Sequence, residues 1–520
     1  MGLRLPADYP ELDGYVRSLT QFLSEFQWLS SIHAYDSLST DFWGRVWPAE
    51  WRRLADDGEF SAESMIALVK DGTVVDSWPS SLKRFAAQCR SLALPRNVIP
   101  AEFSPGVLDV DAVIDQNATT ATGMSRKKLH EVERFSNVIS DFVRASSDAG
   151  SSHVRVVDVG AGQGYLTHRL SAEFPCVAVD FDQIQTVGSV ARGQKIQKGK
   201  LNDVRKGTFD EARGDSVTDS RKEVIYRTIR IDAEKLTDLL RDLSDESDAE
   251  TCTDFMLVGL HACGDLSATA MIKTFEACDS VQLMAVVPCC FNLLTEPEDL
   301  VQLSLCSYDR SREYGFPMSK DVADSMFAHN LSLGHKARNL SCQNFDRFDA
   351  AGIECNLTGH YKRSLLDALL WHFNLEPKAK AGTITSLPTS SNEPRERKQH
   401  KFRLGKLPLE AFEGDFVAYA TAALDRLGLA GCVAREEILA FTQLPQFVNA
   451  KRQIFVVHCV KSLLSRVLES LVLMDRYLAI IETGARLKER KGIDVECRML
   501  NLFDIGESPR NMVFLVRKQQ

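Results

Sequence analysis

The sequence predicts an α/β fold in which a mostly parallel sheet is covered by helices. Three observations carry that expectation. Short apolar runs alternate with helical stretches between residues 153 and 300, a glycine-rich loop directly follows the first run, and the chain closes on a long helical stretch followed by two strands. Alternation of this kind is the pattern of parallel strands, whose crossover needs a segment long enough to return over the sheet.

The first expected strand, at 153–158, reads His-Val-Arg-Val-Val-Asp, and others follow at 176–180, 224–231, 255–260 and 283–287. A helix beginning near Ser125 precedes them, with Leu129, Val132, Phe135, Ile139 and Phe142 on one side. At the far end, residues 456–481 have helical periodicity, and strands at 495–503 and 512–517 flank a turn at Gly506-Glu-Ser-Pro-Arg-Asn511. A last strand inserted antiparallel between its neighbours would complete one sheet from two blocks, 120–300 and 450–520. Residues 301–449 would then be an insertion or lid between strands five and six. Two polar stretches, 192–222 and 377–406, read as flexible surface insertions.

Residues 1–115 read as a helical amino-terminal region. Val16, Leu19, Phe22, Leu23, Phe26 and Leu29 recur at helical spacing, and Trp28, Trp43, Trp47, Trp51 and Trp78 are five of the six tryptophans. Large anchors in a helical core are the first expectation; a surface gripping a partner is the alternative. The hydrophobic and charged fractions, 44% and 26%, are those of an ordinary globular chain. A net charge of −9 excludes nucleic-acid binding through the whole surface but leaves room for one basic groove. Thirteen scattered cysteines without a Cys-x-x-Cys read as reduced thiols. The start lacks the order of a signal peptide, and charges break every long apolar stretch, so no membrane span is expected. A cytoplasmic or nuclear address follows.

The strongest local signal is Asp158-Val-Gly160-Ala-Gly162-Gln-Gly164. Glycines at alternate positions let backbone approach a ligand without Cβ obstruction, and amides at a helix start would face it. A dinucleotide loop, Gly-x-Gly-x-x-Gly, would place its third glycine at position 165, which is Tyr165. Asp-x-Gly-x-Gly-x-Gly is instead the pattern of S-adenosylmethionine sites. Asp180, ending the second strand, is placed to accept from ribose hydroxyls. Asp232, after the third, is placed for the adenine amino group or for a helix cap.

Strands four and five end in Gly259-Leu-His261-Ala-Cys263-Gly264-Asp265 and Pro288-Cys289-Cys290-Phe291-Asn292. In a doubly wound sheet both ends face the ligand. Pro288, Cys289, Cys290 and Phe291 are therefore the acceptor-side candidates, and His261 a cofactor-side one. Three chemistries suit them: positioning of a nucleophile, with Phe291 stacking on a flat group; covalent attack by a thiolate; or a metal held by His261, Cys263, Cys289 and Cys290. Neither His-x-Cys nor Cys-Cys is a usual chelating spacing, so thiols packed beneath the loop, with no metal, are the expectation.

These motifs, together with Met124-Ser-Arg-Lys-Lys-Leu-His-Glu-Val132 and Ser508-Pro-Arg-Asn511, resemble the eukaryotic methyltransferase-like protein twenty-five family, also described as ribosomal RNA adenine dimethylase domain-containing. The resemblance covers most of residues 120–300 and the tail. It implies a Rossmann-like class I methyltransferase sheet with an antiparallel last strand, and an S-adenosylmethionine cofactor. Lys128 could reach the cofactor carboxylate or remain a surface lysine. Enzymes that methylate base amines carry Asn/Asp-Pro-Pro-aromatic after strand four, whereas this chain has His-Ala-Cys-Gly, so that activity does not carry over. RNA or a ribosomal component is the first expected acceptor. A protein nitrogen is the second, and a non-catalytic cofactor-binding module is the reading from another class.

Overall fold

A computed structural model of the protein describes residues 2–32, 37–56, 58–97, 123–146, 154–205, 222–245, 254–297, 314–343, 345–346, 348–376 and 404–519, with the side chains of 197–205 not included. The chain forms two compact units. The first comprises Met1–Gln27, Cys89–Arg347 and Leu464–Gln520, and the second Trp28–Gln88 and Phe348–Leu463. These boundaries cut the chain elsewhere than the sequence suggested. The amino-terminal helices divide between the units, and residues 450–463 belong to the second.

The first unit is built on a seven-stranded sheet: β1 (Val154–Val159), β2 (Cys176–Asp180), β3 (Val224–Thr228), β4 (Asp254–Cys263), β5 (Val281–Cys289), β6 (Asp494–Asn501) and β7 (Met512–Gln519). Their order is β3-β2-β1-β4-β5-β7-β6. The first five are parallel, and β7 runs antiparallel to both β5 and β6. This is an α/β Rossmann-like sheet closed by an inserted last strand. The sequence order reverses between β1 and β4, so the carboxyl ends of β1, β2, β4 and β5 surround one crevice, where such sheets bind ligands.

The mostly apolar, valine-containing sequences of β1, β2 and β5 follow from burial on both faces. Over one face lies the Arg126–Ser146 helix, whose Val132, Phe135, Val138, Ile139 and Phe142 join Val156, Met256, Ala285 and Leu515 in a common core. The expected helix at 456–481 is two helices, Ala450–Ser462 and Leu464–Lys491, meeting at Leu463. Asp475 and Arg476, read from sequence as charges interrupting an apolar run, are a buried ion pair. Asp475 Oδ1 accepts the amides of Met318 and Ser319 at 2.8 and 2.9 Å, and Arg476 donates to the Gly315 carbonyl.

Of the two stretches read as flexible, 192–205 is helical, continuing Gln183–Arg205. Residues 206–221 and 377–403 lie outside the described residues. In the second unit, Trp47, Trp51 and Trp78 are buried, and Trp28 meets Trp47 and Trp51 at centroid distances of 6.0 and 6.3 Å. The tryptophans thus serve a helical core. No described helix is long and apolar enough to cross a membrane.

Because β7 lies between β5 and β6, its Phe514, 1% exposed, packs on an interior strand and not at a sheet edge. Phe514→Ala is expected to cost about 3–5 kcal/mol in denaturant unfolding of the first unit. A cost below about 1 kcal/mol would place this strand at a free edge instead.

Candidate functional site

The glycine loop leaves β1 and turns into the Tyr165–Leu170 helix, with Gly160, Gly162 and Gly164 all at positive φ. Two of them need glycine for different reasons. A Cβ on Gly164 would lie 1.9 Å from Ser189 Oγ, so the loop closes against the next helix. A Cβ on Gly162 would meet nothing within 4 Å, so its bare edge faces open space. The expectation that loop amides face a ligand holds less well. Gly160 and Ala161 donate to the Val179 carbonyl, Gly164 to Ala161, and Gly162 to Asp180 Oδ2 at 2.8 Å. Four amides are thus committed within the protein, and the loop presents Cα–H surface.

Asp158 is buried beneath this loop and accepts from Thr167 Oγ1 at 2.6 Å. Burial raises its pKa to about 6, against the opposing Thr167 hydrogen bond and the Lys128 ammonium. Lys128 therefore acts on the loop's floor, while the neighbouring Lys127 lies 3.6 Å from Glu131. Asp180 sits at the end of β2, and its Oδ1 accepts from Asp182 N at 2.9 Å. Each of its oxygens thus holds one backbone amide and retains a further lone pair for a ligand hydroxyl. Asp232 Oδ1 accepts from Lys235 N at 2.9 Å, which makes it the cap of the Ala233–Asp245 helix.

Across the crevice, β4 carries a register irregularity between Leu260 and Ala262, and His261 there has φ +66°. The kink directs His261 Nε2 to Glu131 Oε1 at 2.9 Å, across to the Arg126–Ser146 helix. The same oxygen accepts from Ser508 Oγ at 2.7 Å, from the turn between β6 and β7. Burial alone would raise the Glu131 pKa; the His261 hydrogen bond and charge, the Ser508 hydroxyl and Lys127 overcome it and bring it to about 2. Glu131 is therefore a carboxylate.

Pro288 and Cys289 pair in register with Ala262 and Cys263. Cys290 follows at φ +51°, a left-handed conformation that is costly for a side chain with a Cβ. The result is a cluster of three thiols at the two strand ends that were expected to share one crevice. Cys263 Sγ lies 3.2 Å from both Cys289 Sγ and Cys290 Sγ, and those two are 3.6 Å apart. Hydrogen bonds from Cys263 and Cys289 hold the Cys290 thiol below its usual range, with His261 and Arg510 adding positive potential. The Cys289 thiol is correspondingly raised, its hydrogen bonds to the other two being the main cause. Phe291 is buried at 1% exposure, with the Arg510 guanidinium 5.2 Å from its ring centroid, so it packs beneath the site and has no open face for stacking.

The structure brings together the glycine loop, Asp158, Asp180 and Lys128 on one side, and His261, Cys263, Cys289 and Cys290 on the other. Sequence reading missed Glu131, Ser508, Arg510 and Glu469. Arg96 and Arg510 share the Glu469 carboxylate, all three buried. Glu131 and Ser508-Pro-Arg-Asn511 stood in motifs already singled out; the signal was present, without a partner assigned to it.

A family described as a methyltransferase domain matches residues 127–297. The mouse protein named probable methyltransferase-like protein 25 is 25% identical over 330 residues, 63% of this chain and 46% of that protein. The human protein of the same name is 25% identical over 287 residues, 55% of this chain and 39% of that one. The chain thus spans less than half the length of these curated relatives. No solved structure matches. Residues 127–297 are a methyltransferase domain, in a chain similar to methyltransferase-like protein 25; neither relative's name states an acceptor.

Asp158 supplies a pH test of the loop. Its pKa is raised on folding from an ordinary 3.8 to about 6, so the folded state keeps a proton that the unfolded state releases. Wild-type stability therefore falls as pH rises between about 4 and 6 and then levels. Asp158→Asn should match wild type near pH 4 and gain up to ~3 kcal/mol by pH 7 in urea unfolding. A difference independent of pH would show that the carboxyl is not buried as described.

Proposed function

We propose, from the premise that residues 127–297 are a methyltransferase domain, that this protein transfers a methyl group from S-adenosylmethionine to RNA or a ribosome-associated acceptor. One observation carries the donor assignment. Gly162 N–H is bound to Asp180 Oδ2, so the loop after β1 and the acid ending β2 form one preorganised edge with an open Cα face. A ligand that approaches the bare Cα edge without a phosphate and offers a diol to Asp180 fits that edge. A pyrophosphate, which needs free amides, does not.

The cofactor supplies the electrophilic sulfonium methyl, and the chain's residues bind and orient. Asp180 has lone pairs left for ribose hydroxyls, and Asp232 Oδ2 is the oxygen not used in capping and suits the adenine amino group. Lys128 offers a cation to the carboxylate of the amino-acid part. On the acceptor side, Glu131 holds the His261 ring through Nε2, which orients the imidazole at the end of β4 beside the position of the attacking nucleophile. Pro288, Cys289 and Cys290 border the position where that nucleophile would stand. RNA is supported by the resemblance and by the basic residues Arg192, Lys195, Lys198, Lys200 and Arg205 along the helix that leaves the Asp180 edge.

Gly162→Arg would project a side chain into the open face. It should weaken S-adenosylmethionine binding at least ~100-fold by calorimetry, about 2.7 kcal/mol, with the fold retained. Extracts of cells lacking the protein, given labelled cofactor and the purified enzyme, should then show label in the RNA fraction. Label in polypeptide alone would replace RNA with a protein nitrogen. Cofactor binding without transfer to either fraction would favour a non-catalytic module.

A further inference from the structure

We propose that Cys263, Cys289 and Cys290 form a binding site for a thiophilic metal ion, zinc by preference, with three thiolate ligands and one coordination position open toward the crevice. The inference goes beyond methyl transfer and does not depend on it. Among the described residues this is the one group of His, Cys, Asp or Glu side chains whose ligand atoms converge on a common centre, with all three sulfurs within 4.8 Å of one another.

The sequence spacing argued against chelation because neither Cys-Cys nor a lone His-x-Cys closes on a metal by itself. The fold supplies what spacing lacks. Parallel pairing of β4 and β5 sets Cys263 beside Cys289. The Gly264 amide donates to the Cys289 carbonyl at 3.0 Å, locking the two strand ends together. A Cβ on Gly264 would lie 2.7–3.0 Å from Leu293, so the two loops are packed as closely as backbone permits. The left-handed turn at Cys290 then brings a third sulfur to the same point from the residue next to Cys289. Backbone strain held in place by packing, at a position where side chains converge, is the pattern of a binding site.

The dimensions suit zinc. Tetrahedral coordination with Zn–S of ~2.3 Å requires sulfurs about 3.8 Å apart. The three separations, 3.2, 3.2 and 3.6 Å, need to open by only a few tenths of an ångström. Cys263 is exposed and Cys290 half-buried, so both can yield while Cys289 stays fixed in the core. Exposure of Cys263 also puts the fourth position on the solvent side, as in zinc sites that keep a place for water or substrate. Cys342 does not fill it; its sulfur lies against Asn292 Oδ1 at 3.5 Å, outside the cluster.

Charge balances as well. Zinc with three thiolates carries one net negative charge. Two buried guanidiniums, Arg96 and Arg510, share the single Glu469 carboxylate and leave one net positive charge behind Phe291. Each thiol that coordinates gives its proton to the buffer, so binding consumes no oxidant and forms no disulfide. An open zinc position takes a sulfur, nitrogen or water-oxygen donor, so the ligand class at the open place is a thiolate, an imidazole or water.

The test uses the full chain, reduced and freed of metal, titrated with cobalt(II) as a spectroscopic substitute and competed with zinc. One cobalt per chain is expected, with the near-ultraviolet band of thiolate-to-metal charge transfer and visible bands of tetrahedral geometry, all abolished by one equivalent of zinc. Cys263→Ser changes an exposed residue and should weaken cobalt binding by more than the ~10–100-fold typical of an outer-shell change. Cys290→Ser should do the same, and Cys342→Ser should bind as wild type. Absence of the charge-transfer band in fully reduced wild-type protein would overturn the proposal. So would wild-type affinity for cobalt in the Cys263→Ser and Cys290→Ser variants. Calorimetry with S-adenosylmethionine on the same samples keeps this result separate from the donor assignment.

Discussion

One buried carboxylate joins the parts from which the crevice is made. Glu131 Oε1 receives His261 from β4 and Ser508 from the β6–β7 turn, while its own helix covers the sheet. These three segments are separated by 130 residues and then by 247 in the chain, yet they meet at one oxygen. A buried charge is tolerated only when its partners are in place, because desolvation is not otherwise offset. Glu131 therefore makes the site conditional on complete assembly. The helix, the fourth strand's bulge and the terminal strand pair must all be present before the acid can remain ionised.

The same logic explains why irregular backbone gathers here. His261 and Cys290 both adopt left-handed conformations, one at the end of each central strand. Either would cost ~1–3 kcal/mol in isolation. Each is held by contacts that regular strand geometry could not make: His261 by Glu131, and Cys290 by the sulfurs of Cys263 and Cys289. Regular strands would have sent these side chains to alternate faces of the sheet, away from the crevice. The strain thus turns a strand end into a cluster of inward-facing groups.

Much of this was legible beforehand, and the physical reason is periodicity. Strands buried on both faces read as unbroken apolar runs, so β1, β2, β4 and β5 stood out, and the alternate glycines marked the turn after β1. Pairing was not legible in the same way. The ends of β4 and β5 were expected to face one crevice, but the residue-to-residue pairing of Cys263 with Cys289 follows from strand register, which Pro-Cys-Cys-Phe does not show. Glu131 looked like one more polar residue on an amphipathic helix, as its single partner in β4 is fixed only by a bulge. Asp475 and Arg476 looked like charges interrupting an apolar run and proved to be a buried pair, because the amides that donate to Asp475, those of Met318 and Ser319, lie more than 150 residues away. Long-range polar partners leave no local trace in composition or period.

The committed amides of the glycine loop sharpen the comparison between cofactor classes. A loop that grips phosphate must leave its N–H groups unpaired until the ligand arrives, and must therefore be kept from closing on itself. Here Gly160 and Ala161 are spent on β2's carbonyl, and Gly162 on Asp180. The loop is consequently stiff without a ligand and offers apolar Cα edges beside a carboxylate. Such a surface suits a cation with a short amino-acid arm better than a polyanion, since Asp180 and the buried acid Asp158 both repel negative charge. The choice between donor classes was first suggested by one missing glycine, at Tyr165. In the folded chain it rests on something stronger, the direction in which four hydrogen bonds point.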